Sequence, residues 1–415
     1  MTRKFTLLLL SLACYAYFTQ WNVVYFLLLA IFVVCSNHIN NAPIRKALAF
    51  ATIVCLIAGF LFFKSATISG NIILGYSVFA FCGISFIIDQ YKTSQRYDVI
   101  DILLYLFFFP KMLAGPIVRV EDFTTQLNMN AMSKRQLYQG TKLLIYASFL
   151  KFIVADLVLN KDITGIGFNL LAQTMIWGIR FYLDFYAYSL IAVGLGLLVG
   201  VRLPYNFNNP YGALTFRDLW HRWNITLSQW LSKYVYIPLG GSRCSAANTY
   251  LNIVLTFVVS GLWHGITLPF VLWGICHGTL VCLERIYLKY SGKAPLKWSY
   301  RLFVVLTTMF LWQLFRLTDL EQIADFTAQL CSLAAIDKTT LIYGISAYLL
   351  LYAIESPIVK RLMLGNENLR GYVICEVSIL SIMLAVLVLC PLHYTFNFFY
   401  LKFKYGCIRY FCILS

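Results

Sequence analysis

The residues best suited to chemistry lie between Arg217 and Gly278, where histidine, amide and charged side chains interrupt an otherwise apolar sequence. A polar group in such a setting must be satisfied by hydrogen bonds or used in function. His264 stands between Trp263 and Gly265 after an apolar run, and histidine titrates near neutral pH, which suits it to proton transfer. Asn224 carries an amide, which can donate and accept hydrogen bonds but cannot take a proton. This stretch is therefore the candidate site.

The stretch contains RDLWHRWNITLSQWLSKYVYIPLGGSR (217–243) and SGLWHG (260–265), and further segments are FFPKMLAGPIVR (108–119), DFYAYSLIAVGLG (184–196), LPYNFNNPY (203–211) and FFYLKF (398–403). In residue type and order these segments resemble the membrane-bound O-acyltransferase family, in its bacterial alginate-O-acetylase-like branch. They cover most of the chain. One position departs from the pattern: that branch usually has histidine where this chain has Asn224, whereas the eukaryotic lipid-acylating members commonly carry asparagine.

The resemblance implies transfer of an acyl group from a thioester to a hydroxyl, with His264 as the base near the acceptor. Asn224 would polarise the thioester carbonyl or hold the acceptor, and a packing role is the alternative. His221 lies three residues before Asn224, on the same helical face. It would then either replace the missing imidazole or be an interfacial residue. The resemblance implies no metal and no tightly bound cofactor; the donor would be acetyl-CoA or an acyl-carrier thioester.

Residues on the substrate and donor side are predicted around the same segment. They are Arg217, Arg222, Trp223, Lys233 and Arg243. The four cations would attract the phosphates of a CoA-type donor or an acidic carrier protein. The alternative is that they anchor helices to anionic lipid headgroups.

The composition places these residues in a membrane protein. The chain of 415 residues is 60% hydrophobic and 12% charged, whereas soluble domains are roughly half apolar and a quarter charged. The net charge of +16 does not indicate nucleic-acid binding, because the cations are spread between apolar spans. The twelve cysteines contain no CxxC pair and indicate neither a zinc site nor a disulfide framework.

Apolar runs predict the helices that position the site. A tight hairpin is expected from 7–18 and 23–35, and further spans at 47–63, 72–88, 250–269, 270–287, 302–316, 340–354 and 373–396. Residues 170–200 predict a pair of short spans in which Arg180 and Asp184 neutralise each other, with a catalytic Asp184 as the alternative. Pro110, Gly115 and Pro116 predict either a re-entrant wall or a kinked helix end. Cations flanking the first four spans predict a cytoplasmic N-terminus.

We therefore predict an all-α, polytopic membrane protein, a bundle with broken or re-entrant helices around a central funnel. It would form one domain over 1–415, with hairpins at 1–97, the motif-bearing core at 98–290 and C-terminal helices at 291–415. In a bacterial inner membrane it would pass an acyl group, acetyl in the first interpretation, to an exported cell-surface glycan or to a periplasmic or extracellular transfer partner. Two alternatives stay open: D-alanyl transfer to teichoic-acid-type polymers, and a transporter or channel.

Overall fold

The computed structural model describes residues 2–66, 74–93, 95–112, 115–128, 132–160, 165–291, 297–332, 334, 337–365 and 373–389. Every regular element within these ranges is a helix, which confirms the all-α class. Among the described residues, five helical segments are long and apolar enough to cross a membrane, namely Thr2–His38, Ala42–Lys64, Gly167–Leu198, Ala246–His264 and Leu268–Ser291. A sixth candidate is the pair Lys338–Ile354 and Pro357–Leu364, bent by 53°. The chain is a multi-pass membrane protein. The FFYLKF segment lies outside the described residues.

The helices of the described residues are, in chain order, α1 (Thr2–Thr19), α2 (Val23–His38), α3 (Ala42–Ala66), α4 (Tyr76–Thr93), α5 (Val99–Phe107), α6 (Val120–Asn128), α7 (Lys134–Ser148), α8 (Gly167–Leu198), α9 (Phe216–Arg222), α10 (Ile225–Leu231), α11 (Ala246–His264), α12 (Leu268–Ser291), α13 (Lys297–Leu311), α14 (Leu320–Cys331), α15 (Lys338–Ile354), α16 (Pro357–Leu364) and α17 (Val373–Leu389). Two π-helical segments, Phe149–Val158 and Ser232–Tyr236, continue α7 and α10. A 3-10 turn, Trp312–Phe315, continues α13.

The first of two compact units takes its described residues from Met1–Thr141 and Ser189–Tyr205. In this unit α1 and α2 are joined by a 3-10 turn at Gln20–Asn22, where the φ of Gln20 is 50°. The rings of Tyr15 and Phe26 on the two sides of the turn lie 5.4 Å apart, which is compatible with the predicted hairpin. The apolar segment Thr2–His38 is thus two arms joined by a turn. The proline-rich segment begins after α5 ends at Phe107, and a 3-10 turn at Phe109–Lys111 follows.

The second unit takes its described residues from Lys142–Tyr188 and from Asn206 onward, and it contains every predicted site residue. The pair of short spans predicted over 170–200 is wrong: α8 is one continuous helix of 32 residues. Its length, about 48 Å at 1.5 Å per residue, exceeds the roughly 30 Å hydrocarbon core. The two charges that suggested a break are accommodated inside the helix.

Asp184 and Arg180 have counter-ions that the sequence did not suggest. Lys151 Nζ lies 2.6 Å from Asp184 Oδ1 and 2.8 Å from Asp156 Oδ2, and Arg180 lies 3.8 Å from Asp156. Lys151 and Asp184 are both fully buried. A buried charge is tolerated when it is paired and hydrogen-bonded, so α8 needs no interruption at Asp184. These contacts favour the structural interpretation of Asp184.

Candidate functional site

The helices α11 and α12 form the frame of the site, and two glycines let them approach closely. A Cβ added at Gly261 would lie 2.1 Å from the Phe270 carbonyl oxygen, and one at Gly274 would lie 2.5 Å from the Phe257 carbonyl oxygen. Small residues at such crossings allow backbone-to-backbone packing of membrane helices. The end of α11 is thereby held against the start of α12.

His264 is the last residue of α11 and is buried, with 6% of its surface exposed. Its ring centroid lies 4.6 Å from that of Phe315, 5.3 Å from that of Trp273 and 6.0 Å from that of Phe270. Aromatic rings at these distances fix the orientation of the imidazole through edge and face contacts. The histidine is therefore placed in a rigid, apolar setting at a helix end.

Trp223 connects the segment of Asn224 to the surroundings of His264. Its indole stacks on Trp312 with centroids 4.5 Å apart, and Trp312 in turn lies 5.7 Å from Trp273 and 5.4 Å from Phe315. Trp273 and Phe315 both contact His264. We define the aromatic cluster as Trp220, Trp223, Trp273, Trp312 and Phe315. Both predicted catalytic positions border this cluster.

Asn224 interrupts the helix that the sequence places at 215–236. Its backbone is left-handed, with φ 41° and ψ 54°, so α9 ends before it and α10 begins after it. Asparagine and histidine are several-fold enriched in this conformation compared with other non-glycine residues. Asparagine and histidine, the two residue types that the resemblance gives for this position, therefore both fit the backbone here. Asn224 is buried, with 6% of its surface exposed.

The break is held from both sides by the loop before α9. Asn208 N donates to Arg222 O over 2.9 Å, and Ile225 N donates to Asn206 O over 2.9 Å. The Thr226 hydroxyl also donates to Asn206 Oδ1 over 2.6 Å. Asn206 is buried and uses both main-chain and side-chain oxygens here. The NFNNPY motif, which is rich in turn-forming residues, thus fixes the turn at Asn224.

The predicted common face of His221 and Asn224 is wrong. His221 is exposed in the last turn of α9, whereas Asn224 lies beyond that helix in the left-handed turn and is buried. A shared face requires a continuous helix between the two residues, and the helix ends at Arg222. Exposure of His221 favours the interfacial interpretation over replacement of the missing imidazole.

The predicted donor-side cations have different surroundings. Arg222 Nε lies 2.7 Å from Asp218 Oδ1, an ion pair one turn apart on α9, so its charge is largely offset. Lys233 Nζ lies over the Tyr234 ring at 4.9 Å. Arg217 and Arg243 are exposed. The exposed pair is better suited to bind an anion from solution than Arg222 is.

Two groups in the site were missed by the sequence reasoning. Trp312 and Phe315 occupy the 3-10 turn after α13, 48 and more residues beyond His264, in a span that carries no recognised motif. His277 is not one of the two, because its place in ICHG suggests a residue that packs or orients a neighbour; it is fully buried, with its ring centroid 5.0 Å from that of Trp220 and 4.9 Å from that of Trp273. Only the aromatic composition of the span that contains Trp312 and Phe315 could have indicated the role of these two residues.

Comparison with known proteins identifies the family of this chain. The model of the membrane-bound O-acyltransferase family matches residues 84–301. A "probable alginate O-acetylase" of Azotobacter vinelandii is 35% identical over 60% of this chain and 51% of its own length, and one of Pseudomonas fluorescens is 30% identical over 77% and 69%. A peptidoglycan O-acetyltransferase of Helicobacter pylori is 34% identical over 54% and 45%. The chain thus spans about half the length of several curated relatives it matches. It belongs to the membrane-bound O-acyltransferase family.

Proposed function

We propose that this chain is a membrane O-acyltransferase that moves an acyl group, acetyl above all, from a cytoplasmic thioester to a hydroxyl on an exported glycan or on a transfer partner. The observation that carries the proposal is the burial of His264 against Trp273 and Phe315, next to the cluster that also holds Trp223. A fixed imidazole in a setting that excludes bulk water is what a general base in acyl transfer requires.

In the proposed reaction the oxygen of the acceptor hydroxyl attacks the thioester carbonyl, and the neutral His264 imidazole accepts the hydroxyl proton. The tetrahedral oxyanion then collapses, the carbon–sulfur bond breaks, and the leaving thiolate takes the proton from the imidazolium. The products are an ester and a thiol, so atoms and charge balance. The Asn224 amide N–H is suited to donate to the oxyanion, because it stands at a fixed turn beside Trp223.

The donor is proposed to approach on the side of Arg217, Lys233 and Arg243, with acetyl-CoA or an acyl-carrier thioester as candidates. Phosphate groups are attracted to exposed guanidinium and ammonium groups. Arg222 contributes less to this attraction, because Asp218 already offsets its charge.

The acceptor is proposed to be a cell-surface glycan, and the location a bacterial inner membrane. The relatives named for alginate or peptidoglycan O-acetylation are 30–35% identical to this chain, whereas a teichoic acid D-alanyltransferase of Bacillus subtilis is 26% identical over 57% of it. This difference favours acetyl over D-alanyl. A periplasmic or extracellular partner that receives the acetyl group remains part of the proposal.

The test compares purified wild-type protein in nanodiscs with His264→Ala, using labelled acetyl-CoA, an acetyl-carrier thioester and a D-alanyl-carrier thioester. The alanine variant is expected to lose transfer by about two to four powers of ten, the usual contribution of a general base. His38→Ala is the matched control, since it makes the same substitution at an exposed histidine of the first unit.

Wild-type turnover in His264→Ala would refute the assigned base. Transfer of D-alanine alone would show that the transferred group is D-alanyl and not acetyl. Absence of transfer from all three thioesters, with substrate flux across sealed vesicles, would favour the transporter interpretation.

A further inference from the structure

We propose that Glu284 is a positioning residue that sets the location of the Trp223–Asn224 segment relative to His264. This inference rests on the proposed function, because it assigns a role within the same reaction. Glu284 lies on α12 and is buried, and nothing in the sequence motifs pointed to it.

Both carboxylate oxygens of Glu284 accept hydrogen bonds from the start of α9. Phe216 N donates to Oε1 over 2.8 Å and Arg217 N donates to Oε2 over 3.0 Å. The Tyr300 hydroxyl donates to Oε1 over 2.9 Å. A buried carboxylate is tolerated only with such compensation, and these bonds supply it.

The bonds complete the cap of α9. A helix leaves its first N–H groups without intrahelical acceptors. In α9 these N–H groups belong to Phe216, Arg217 and Asp218. The Asp218 N–H donates to the Thr215 hydroxyl over 2.9 Å. The cap is thus shared between Thr215, which is local, and Glu284, which lies 67 and 68 residues away. A helix of seven residues is not stable alone, so these contacts determine where it forms.

Helix α9 packs antiparallel to α12, against one face of that helix. Trp273 and His277 contact Trp220, with ring centroids 5.5 and 5.0 Å apart, and Glu284 meets Phe216. The positions 273, 277 and 284 recur at helical spacing on α12, so they share a face. The same helix that contacts His264 through Trp273 therefore fixes the start of α9 through Glu284.

Apolar contacts between these helices do not define the position of α9 along α12 by themselves. Phe216 and Leu219 lie in a buried cluster with Val304, against which Leu280 and Val281 pack. Hydrophobic attraction is non-directional, so it specifies the position of α9 along α12 less sharply than hydrogen bonds do. The two carboxylate bonds are directional and define one position. A shift of α9 would move Trp223 and Asn224 with it, because they follow its last residue directly.

The test uses Glu284→Met, which keeps a similar volume without accepting a hydrogen bond. Backbone hydrogen exchange of the full chain in nanodiscs, read by mass spectrometry, is expected to accelerate about tenfold or more at Phe216 and Arg217, and not in α11. The kcat for transfer is expected to fall about 100-fold, the scale of a displacement of 1 Å. KM for the thioester is expected to rise by a smaller factor, because Arg217, whose amide Glu284 holds, is only one of the three cations proposed on the donor side.

Two further variants separate positioning from helix stability. Thr215→Ala removes the local cap at the same helix end and leaves both bonds to α12, so its kcat is expected to stay within about tenfold of wild type. Glu284→Gln keeps one acceptor oxygen, so one of the two amides is expected to exchange faster and kcat to fall between wild type and Glu284→Met. If the methionine variant does not fold, the glutamine variant carries the test.

Equal losses of kcat in Thr215→Ala and Glu284→Met would overturn the proposal, because helix stability alone would then explain them. Wild-type exchange and kcat in Glu284→Gln would overturn it as well. Wild-type protein that transfers no acyl group would refute the proposed function instead. The exchange measurement would still decide whether Glu284 anchors α9, since it needs no substrate.

Discussion

Substitution of Asn224 separates its chemistry from its backbone conformation. With φ 41° and ψ 54°, alanine at this position would adopt a left-handed conformation that costs about 1–2 kcal/mol for an ordinary residue. Glycine adopts it without that steric cost. Asn224→Gly and Asn224→Ala therefore both remove the amide, and only the alanine variant adds strain.

The expected magnitude follows from the proposed hydrogen bond to the oxyanion. Loss of one such donor lowers turnover by about 10²–10³. Asn224→Gly is expected to show this loss with little change in thermal stability, and Asn224→Ala to show the same loss with a lower melting temperature. Asn224→His is expected to keep turnover, because histidine also tolerates the left-handed turn.

The assay is single-turnover transfer from labelled acetyl thioester at equal protein abundance, with thermal unfolding of the same samples. Wild-type turnover in Asn224→Gly would refute the chemical role. If Asn224→Ala alone lost activity, the residue would be required for its backbone conformation. In that outcome the packing interpretation of Asn224 replaces the catalytic one.

Three other outcomes are expected. His221→Ala should leave turnover near wild type, because His221 is exposed at the end of α9; a loss as large as that of His264→Ala would contradict this placement. Lys151→Met leaves Asp184 buried without its close cation and should lower the free energy of unfolding by about 3–5 kcal/mol, measured by denaturation in detergent; Lys151→Met with Asp184→Asn should recover part of it. Asp319 caps α14 by accepting from Gln322 N, which lowers the pKa of its carboxyl. Its contribution to the stability of α14 is therefore present above the usual pKa, near 3.8, and is lost as pH falls through the lower folded value. Protection factors of the α14 amides, which compare each exchange rate with the intrinsic rate at the same pH, would contradict this if they stayed constant from pH 5 to pH 2.

Much of the fold follows from local patterns in the sequence. The bounds of α11 and α12 agree with the predicted spans to within a few residues, because each apolar run is continuous and ends at turn-forming residues. The N-terminal hairpin follows in the same way. The prediction for α8 failed because the sequence shows the charges of Arg180 and Asp184 but not Lys151, the nearby cation that lets the helix continue.

In the candidate site, too, some features follow from the sequence and others do not. The types of His264 and Asn224 and their place in motifs are properties of the sequence, and they were sufficient to name both residues. The left-handed turn at Asn224 was not visible in the sequence, because it depends on hydrogen bonds that Asn206 accepts and Asn208 donates across a loop.

By itself, therefore, the sequence determined the membrane class, most helices and the residue types available for chemistry, since hydropathy and motifs are local properties. Only the tertiary structure decided which rings surround His264 and which carboxylate holds α9. Phe315 contacts His264 and Trp312 contacts Trp223 from the distant turn after α13, and Glu284 reaches Phe216 across 68 residues. Such contacts depend on how helices pack against one another, and helical periodicity fixes which face is apolar but not which partner covers it.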